Sequence, residues 1–205
     1  MRKYSAVVFD LGMVLVPFDY KIMVKRLEGV EPGLGDQFIN SYKSNYQTHR
    51  DFERGDISED DFVNMMLSII DHKIDSETFK RFYSEIFTFN QDVIDLLPVI
   101  KNNYRLFLLS NTNAIHQQYG WKDFPFIKHF EKLILSHEVG AVKPEEKIYR
   151  AVEAASGLSP EEHIFIDDIK EYAEAAMKHG WGGIQFKGYD DLVVNLRSKG
   201  ILNSL

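Results

Sequence analysis

The chain has 205 residues, 44% of them hydrophobic and 13% aromatic, with a formal net charge of −7 and no cysteine. That composition supports one sizeable core plus a small insertion and excludes a disordered chain. The acidic balance, with no long run of Lys or Arg, argues against nucleic acid as a partner. Without cysteine there are no disulfides, no thiolate catalysis and no Cys-based zinc site. Met1-Arg2-Lys3-Tyr4 leads straight into an apolar run, and no stretch approaches membrane-spanning length, so the expectation is a cytoplasmic protein with no membrane partner.

Ala6-Val7-Val8-Phe9 reads as a strand buried on both faces, ending at Asp10. From about Tyr20 to Asn90 the pattern is mostly helical, broken by Glu31-Pro32-Gly33-Leu34-Gly35 and Arg54-Gly55-Asp56. Ser58 with Asp61 resembles a capping box opening a helix from Glu59 to Ile70. Asp92 to Asn103 places Val93, Leu96, Leu97 and Ile100 on one helical face, and the second strand, Leu106 to Leu109, runs into Ser110-Asn111. Leu133-Ile134-Leu135 is the third strand. Pro144 opens a helix with Ile148, Val152 and Ala155 at helical spacing, stopping near Gly157. The fourth strand, His163 to Ile166, runs into Asp167-Asp168, a helix with Ala173, Ala175 and Ala176 follows, and Gly183 to Phe186 supplies a fifth strand. Apolar runs alternating with helical periodicity predict an α/β fold with a doubly wound parallel sheet. The first crossover is too long to be simple. Residues 20–90 therefore read as a small helical cap inserted after the first strand, over a core made of residues 1–19 and 91–205.

Three strands ending in polar residues can converge on one crevice, because doubly wound sheets bind ligands outside their carboxyl ends. Four segments stand there in order: Phe9-Asp10-Leu11-Gly12-Met13-Val14-Leu15, Leu109-Ser110-Asn111-Thr112-Asn113, Gly140-Ala141-Val142-Lys143-Pro144 and Phe165-Ile166-Asp167-Asp168. Together they resemble the haloacid dehalogenase superfamily, within it the capped phosphatases whose first motif reads Asp-Leu-Gly. The resemblance implies a Rossmann-like core, a helical cap, a Mg²⁺ ion and phosphoryl transfer to a carboxylate. By that resemblance Asp10 is the nucleophile, Asp10 and Asp168 with the Gly12 carbonyl hold Mg²⁺, and Asp167 orients metal waters or pairs with Lys143. Ser110, the Asn111 backbone N–H and Lys143 would bind the phosphoryl oxygens, with Lys143 neutralising their charge.

Each residue also has a plainer reading: Asp10 as a strand-end turn residue, Asp167-Asp168 as a helix cap, Ser110 as a loop serine, Lys143 as a surface cation. The seven His show no metal-ligand spacing and read as surface or satisfied polar residues. Gly33-Leu34-Gly35 is a turn, not a nucleotide loop. Two departures from the commoner family pattern stand out. Gly12 replaces an Asp that protonates the leaving oxygen, with Asp19 as a candidate substitute, and Tyr172 stands where many relatives have Asn. The leading expectation is a Mg²⁺-dependent phosphatase of a small phosphorylated metabolite, such as a sugar phosphate. A metal-free 2-haloacid dehalogenase and a non-catalytic phosphometabolite-binding protein are the alternatives. Tyr42, Asn45, Tyr46, Gln47 and Arg50 offer polar groups to either the cleft or solvent.

Overall fold

The computed structural model describes residues 3–202. After strand β1 (Ala6–Phe9) come helices α1 (Lys21–Val30), α2 (Leu34–Ser44), α3 (Tyr46–Arg54), α4 (Glu59–Ile69), α5 (Ser76–Ser84), α6 (Gln91–Ile94) and α7 (Leu96–Lys101). Strand β2 (Arg105–Ser110) is followed by a π-helical turn, His116–Trp121, then β3 (Lys132–Leu135), α8 (Ser136–Val139) and α9 (Glu146–Ser156). Strand β4 (His163–Asp167), α10 (Lys170–Lys178), β5 (Gly182–Gln185) and α11 (Tyr189–Ser198) complete the chain.

All five strands are parallel, in the order β3-β2-β1-β4-β5. β1 is buried throughout, and its side chains divide between the two faces: Val7 and Phe9 pack with α6, α7 and α11, whereas Ala6 and Val8 pack with α9 and α10. That division is why the run is continuously apolar. The chain winds outward from β1 to β3, then returns to β4 on the other side of β1. The carboxyl ends of β1 and β4 thus flank the topological switch point, where such sheets bind ligands.

Helices α1 to α5 enclose an apolar cluster of their own, including Met23, Phe38, Phe62 and Tyr83, with Phe52 stacked on Phe62 at 4.2 Å between ring centres. Ser58 caps α4 by accepting the Asp61 N–H at 3.1 Å. The segments leading into and out of these helices pair with each other. Asp19 N–H donates to Ile86 O (3.1 Å), Thr88 N–H to Pro17 O (2.8 Å) and Asn90 N–H to Leu15 O (2.9 Å), with an antiparallel bridge between Phe18 and Phe87.

Details differ from the sequence reading: the helix expected over Asp92 to Asn103 is split into α6 and α7, and β3 begins one residue earlier, at Lys132. The fifth strand starts at Gly182, which pairs with Ile164, and Phe186 lies past its end, donating its N–H to Asp167 O. Helix α9 begins at Glu146, not at Pro144. Its buried face is Ile148, Tyr149 and Val152, leaving Ala155 exposed. Among the described residues no helix is long and apolar enough to cross a membrane.

Candidate active site

Asp10 continues β1 by donating its N–H to Ile166 O at 2.9 Å, and the register Phe9↔Ile166 sets it level with Asp167. Lys143, at the loop before α9, reaches between them. Its Nζ lies 2.8 Å from Asp10 Oδ1 and 2.6 Å from Asp167 Oδ2, and it is 1% exposed. Burial pushes the Asp10 carboxyl up to about 8, with Lys143 opposing and Asp167 adding to the shift. Burial alone would lower the Lys143 ammonium, but Asp10 and Asp167 outweigh it and hold it raised. Lys143 Nζ also sits 5.4 Å from the Phe165 ring centre and 5.2 Å from that of Tyr172, so aromatic faces close it on the remaining sides.

Asp168 completes the group. One carboxylate oxygen from each of Asp10, Asp167 and Asp168 lies within 4.8 Å of the others. Burial raises Asp168, and Asp167 adds to it. Three carboxyl groups crowd one ammonium, part of why Asp10 and Asp168 are raised, and their hard oxygen donors suit Mg²⁺. Asp167 is already engaged, with Oδ2 on Lys143 and Oδ1 accepting the Ile169 N–H at 2.8 Å, so Asp10 and Asp168 are the carboxylates left to hold a cation. The Gly12 carbonyl accepts the Val14 N–H at 2.7 Å and keeps one lone pair for a further ligand.

Gly12 is not a backbone necessity. The positive φ in this loop, 57°, belongs to Met13, and a Cβ on Gly12 would meet only the edge of Phe18, at 3.2 Å. Asp19, the candidate replacement acid, accepts the Lys21 N–H at 2.9 Å at the cavity rim. Ser110 is buried and faces the same cavity. Asn111 does more than its backbone reading implied: its Oδ1 accepts the Lys143 N–H at 2.8 Å and its Nδ2 donates to Lys143 O at 3.3 Å. One side-chain amide thereby fixes the loop that carries the ammonium.

These groups line a cavity of about 630 Å³ together with residues of α1, α2, α3 and the π-turn, among them Val24, Ile39, His49 and Trp121. Tyr42, Tyr46 and Arg50 line it, whereas Asn45 and Gln47 bond along their own exposed helix surfaces, to Ser41 O and Asp51 Oδ1. Arg50 donates to Glu53 at 3.0 Å and to Lys143 O at 3.4 Å, bridging α3 to the Lys143 loop. Arg54 adds an ion pair to Glu145. Glu53 also pairs with His49 Nε2 at 3.2 Å. Burial would raise the Glu53 carboxyl, but its bond to His49 and the nearby cations hold it below the usual range.

Sequence reasoning missed this buried His49–Arg50–Glu53 group, although its three-to-four-residue helical spacing was readable. It also missed the π-turn, whose i→i+5 bond from Lys122 N–H to Gln117 O leaves no sequence signature. Of the buried histidines, His163 is satisfied by Ser156 Oγ and Ser159 O, and His49 by Tyr83 and Glu53. His116 departs from the expectation: its Nε2 is buried without a partner.

Residues 36–184 match the family of haloacid dehalogenase-like hydrolases, and the chain belongs to it. It is 27% identical over 174 residues to the D-ribitol-5-phosphate phosphatase of Bacteroides thetaiotaomicron, covering 79% of this chain and 82% of that protein. A haloacid dehalogenase family enzyme of the same organism, solved in complex with magnesium and inorganic phosphate, superposes with a TM-score of 0.79 at 26% identity over 90% of this chain and 94% of that one. The L-2-haloacid dehalogenase of Xanthobacter autotrophicus shares the fold, with a TM-score of 0.61 at 21% identity over 99% and 85%.

Proposed function

We propose that this hydrolase is a Mg²⁺-dependent phosphatase acting on a small phosphorylated metabolite, a sugar phosphate among them, in the cytoplasm. The observation that carries the reading is Lys143 held between Asp10 and Asp167 at the switch point, with the Asp168 carboxylate beside them. Asp10 attacks phosphorus, the bond to the leaving oxygen breaks, and water then cleaves the aspartyl-phosphate to return the carboxylate and inorganic phosphate. Lys143, pinned at both ends of its loop step by Asn111, offsets the charge on Asp10 and on the phosphoryl oxygens. Ser110 Oγ and the Asn111 N–H donate to those oxygens. Asp10, Asp168 and the Gly12 carbonyl would hold the metal, with Asp167 behind them fixing Lys143. Mg²⁺ bound there supplies positive charge to the carboxylates and to a phosphoryl oxygen. Residues 20–90 serve as the cap, closing the cavity over the core formed by 1–19 and 91–205.

The same nucleophile could open a 2-haloacid, which is the dehalogenase alternative. A metal-free dehalogenation has no use for a further carboxylate placed beside the nucleophile to hold a cation, so Asp168 next to Asp10 supports the phosphatase. Release of inorganic phosphate from a panel of phosphorylated metabolites tests the proposal. Release is expected with Mg²⁺ and not with a chelator. Hydrolysis indifferent to chelator, or halide release from a 2-haloacid, would overturn it.

A further inference from the structure

Polar side chains fasten residues 20–90 to the core at α5, where Ser84 Oγ donates to Ile115 O at 3.1 Å, and at α3, where both arginines reach the turn that carries Lys143. Arg50 and Arg54 are four residues apart and so project from one side of the helix. Arg50 Nη2 donates to Lys143 O at 3.4 Å, and Arg54 Nη1 donates to Glu145 Oε2 at 2.7 Å. Helix α3 stops at Gly55, whose φ of 85° favours glycine, and a Cβ there would stand 2.5 Å from His137 O. The end of α3 therefore lies directly against the segment between β3 and α9.

Within that segment the Glu145 N–H donates to Val142 O at 2.8 Å, closing a four-residue turn around Lys143 and Pro144. The proline ring fixes its own φ, so Lys143 and Glu145 move as one piece. Asn111 holds the turn from the core, and Arg50 and Arg54 hold it from the cap. The Lys143 carbonyl, with two lone pairs, takes one donor from each side: Asn111 Nδ2 at 3.3 Å and Arg50 Nη2 at 3.4 Å. Where this backbone stands decides whether the ammonium reaches Asp10 at 2.8 Å. Displacing a group at a reacting centre by ~1 Å can cost ~10²-fold in rate.

We propose that Arg54 is a positioning residue for Lys143: by pairing with Glu145 it seats α3 on the turn, so that docking of the cap and alignment of the ammonium with Asp10 are one event. The inference rests on the phosphatase reading, which makes Lys143 part of the reacting centre. Arg50 lines the cavity and can meet a substrate there, whereas Arg54 and Glu145 stand outside the lining. An effect of Arg54 on turnover must therefore travel through the turn. Arg54 also pairs with Asp56 at 3.3 Å, a contact within the cap that Glu145→Gln leaves in place. The Arg54 and Glu145 side chains are 33% and 37% exposed, so their pair is worth at most about 5-fold in an equilibrium.

The test is a double-variant cycle on the full chain, Arg54→Gln, Glu145→Gln and the two combined, read as phosphate release from p-nitrophenyl phosphate with Mg²⁺. Each single variant should lose about 2–5-fold in kcat with KM changed by less than about 2-fold, and the combined variant should lose no more than either single. A merely structural role lowers stability and leaves the kcat of the folded enzyme alone. Amide hydrogen exchange gives a second reading that needs no turnover: in Arg54→Gln the segment 140–145 should exchange about 2–5-fold faster while β1 and β4 keep their protection. In an active chain, unchanged kcat in both single variants overturns the inference, as do losses that simply add in the combined variant. Protection lost evenly over the whole sheet overturns it too, by marking Arg54 as a general stabiliser. Absence of phosphate release from the unsubstituted chain refutes the phosphatase reading instead, and the exchange comparison then decides by itself whether Arg54 holds the turn.

Discussion

At the strand ends the polar groups are matched within the protein: Lys143 lies on two carboxylates, and Asn111 holds the Lys143 backbone from both its N–H and its carbonyl. Among the described residues lining the same cavity, His116 and Trp121 instead carry buried ring nitrogens, Nε2 and Nε1, with no hydrogen-bond partner. The first region is assembled before any ligand arrives, as a reacting centre must be when it stabilises charge by fixed groups. If this contrast is right, damage at the strand ends abolishes chemistry or folding, and damage at His116 changes how stability depends on pH.

The hardest blow to that contrast would come from Asp10→Asn, a nearly isosteric change. Phosphate release should fall by at least about 10³-fold, with circular dichroism unchanged. Activity kept in a folded variant would remove Asp10 as the nucleophile. Next in size, Lys143→Met leaves Asp10 and Asp167 buried and facing each other without their cation. Urea unfolding at neutral pH should show a loss of about 3–5 kcal/mol, and wild-type stability would mean that charge pairing does not hold the strand ends.

At His116 the expected signature is in pH. His116 has a folded-state value of about 3 against 6.5 in the unfolded chain. As pH falls below 6.5 the unfolded state takes up a proton that the folded state refuses, so stability declines through the window from 6.5 to 3 by up to a few kcal/mol. His116→Gln should flatten that decline in unfolding curves collected across the window; an identical slope would mean that other groups cause it.

Smaller effects sharpen the strand-end picture. Because the Gly12 backbone is ordinary and only Phe18 stands over it, Gly12→Asp should be accepted. Turnover of primary-alcohol phosphates should rise about 10-fold, below the ~10²–10⁴-fold of a well-placed general acid. No gain in a folded variant would show that another group already supplies the proton. The smallest change concerns Tyr172, whose ring lies on the Lys143 ammonium. Tyr172→Leu should lower kcat about 5-fold, matching roughly 1 kcal/mol of cation–π attraction, and Tyr172→Phe should restore it. Equal loss in both variants would place the effect in the hydroxyl instead.

The sheet was legible because strands covered on both faces are written as unbroken apolar runs: β1 ends where its run stops, and β2 and β4 one polar residue later. The charged cluster was legible for a related reason, since Asp10, Ser110 and Asp167-Asp168 are the first polar residues after such runs. What could not be read was anything decided by distant partners. His49 pairs with Glu53 one turn along α3, yet its Nδ1 lies 3.0 Å from Tyr83 Oη in α5, a contact no spacing shows. Tyr172 reads as a missing Asn contact, yet its ring reaches Lys143 from a segment 29 residues away in sequence, by the difference of their numbers. Nor does the sequence show that the positive φ of the first loop falls on Met13 and not on Gly12.

The short ladder joining residues 15–19 to 86–90 bears on how such a molecule can be rebuilt. Paired antiparallel segments run about 4.8 Å apart, so the chain leaves the sheet and comes back to it at nearly one point. Residues 20–85 leave and re-enter the core through that two-stranded neck, and side-chain bonds from Arg50 to Lys143 O, Arg54 to Glu145 and Ser84 to Ile115 O fasten them to the rest of the chain. A hairpin turn of about two residues could close the gap in their place, and a different helical unit could be grafted there without rethreading a single strand of the sheet.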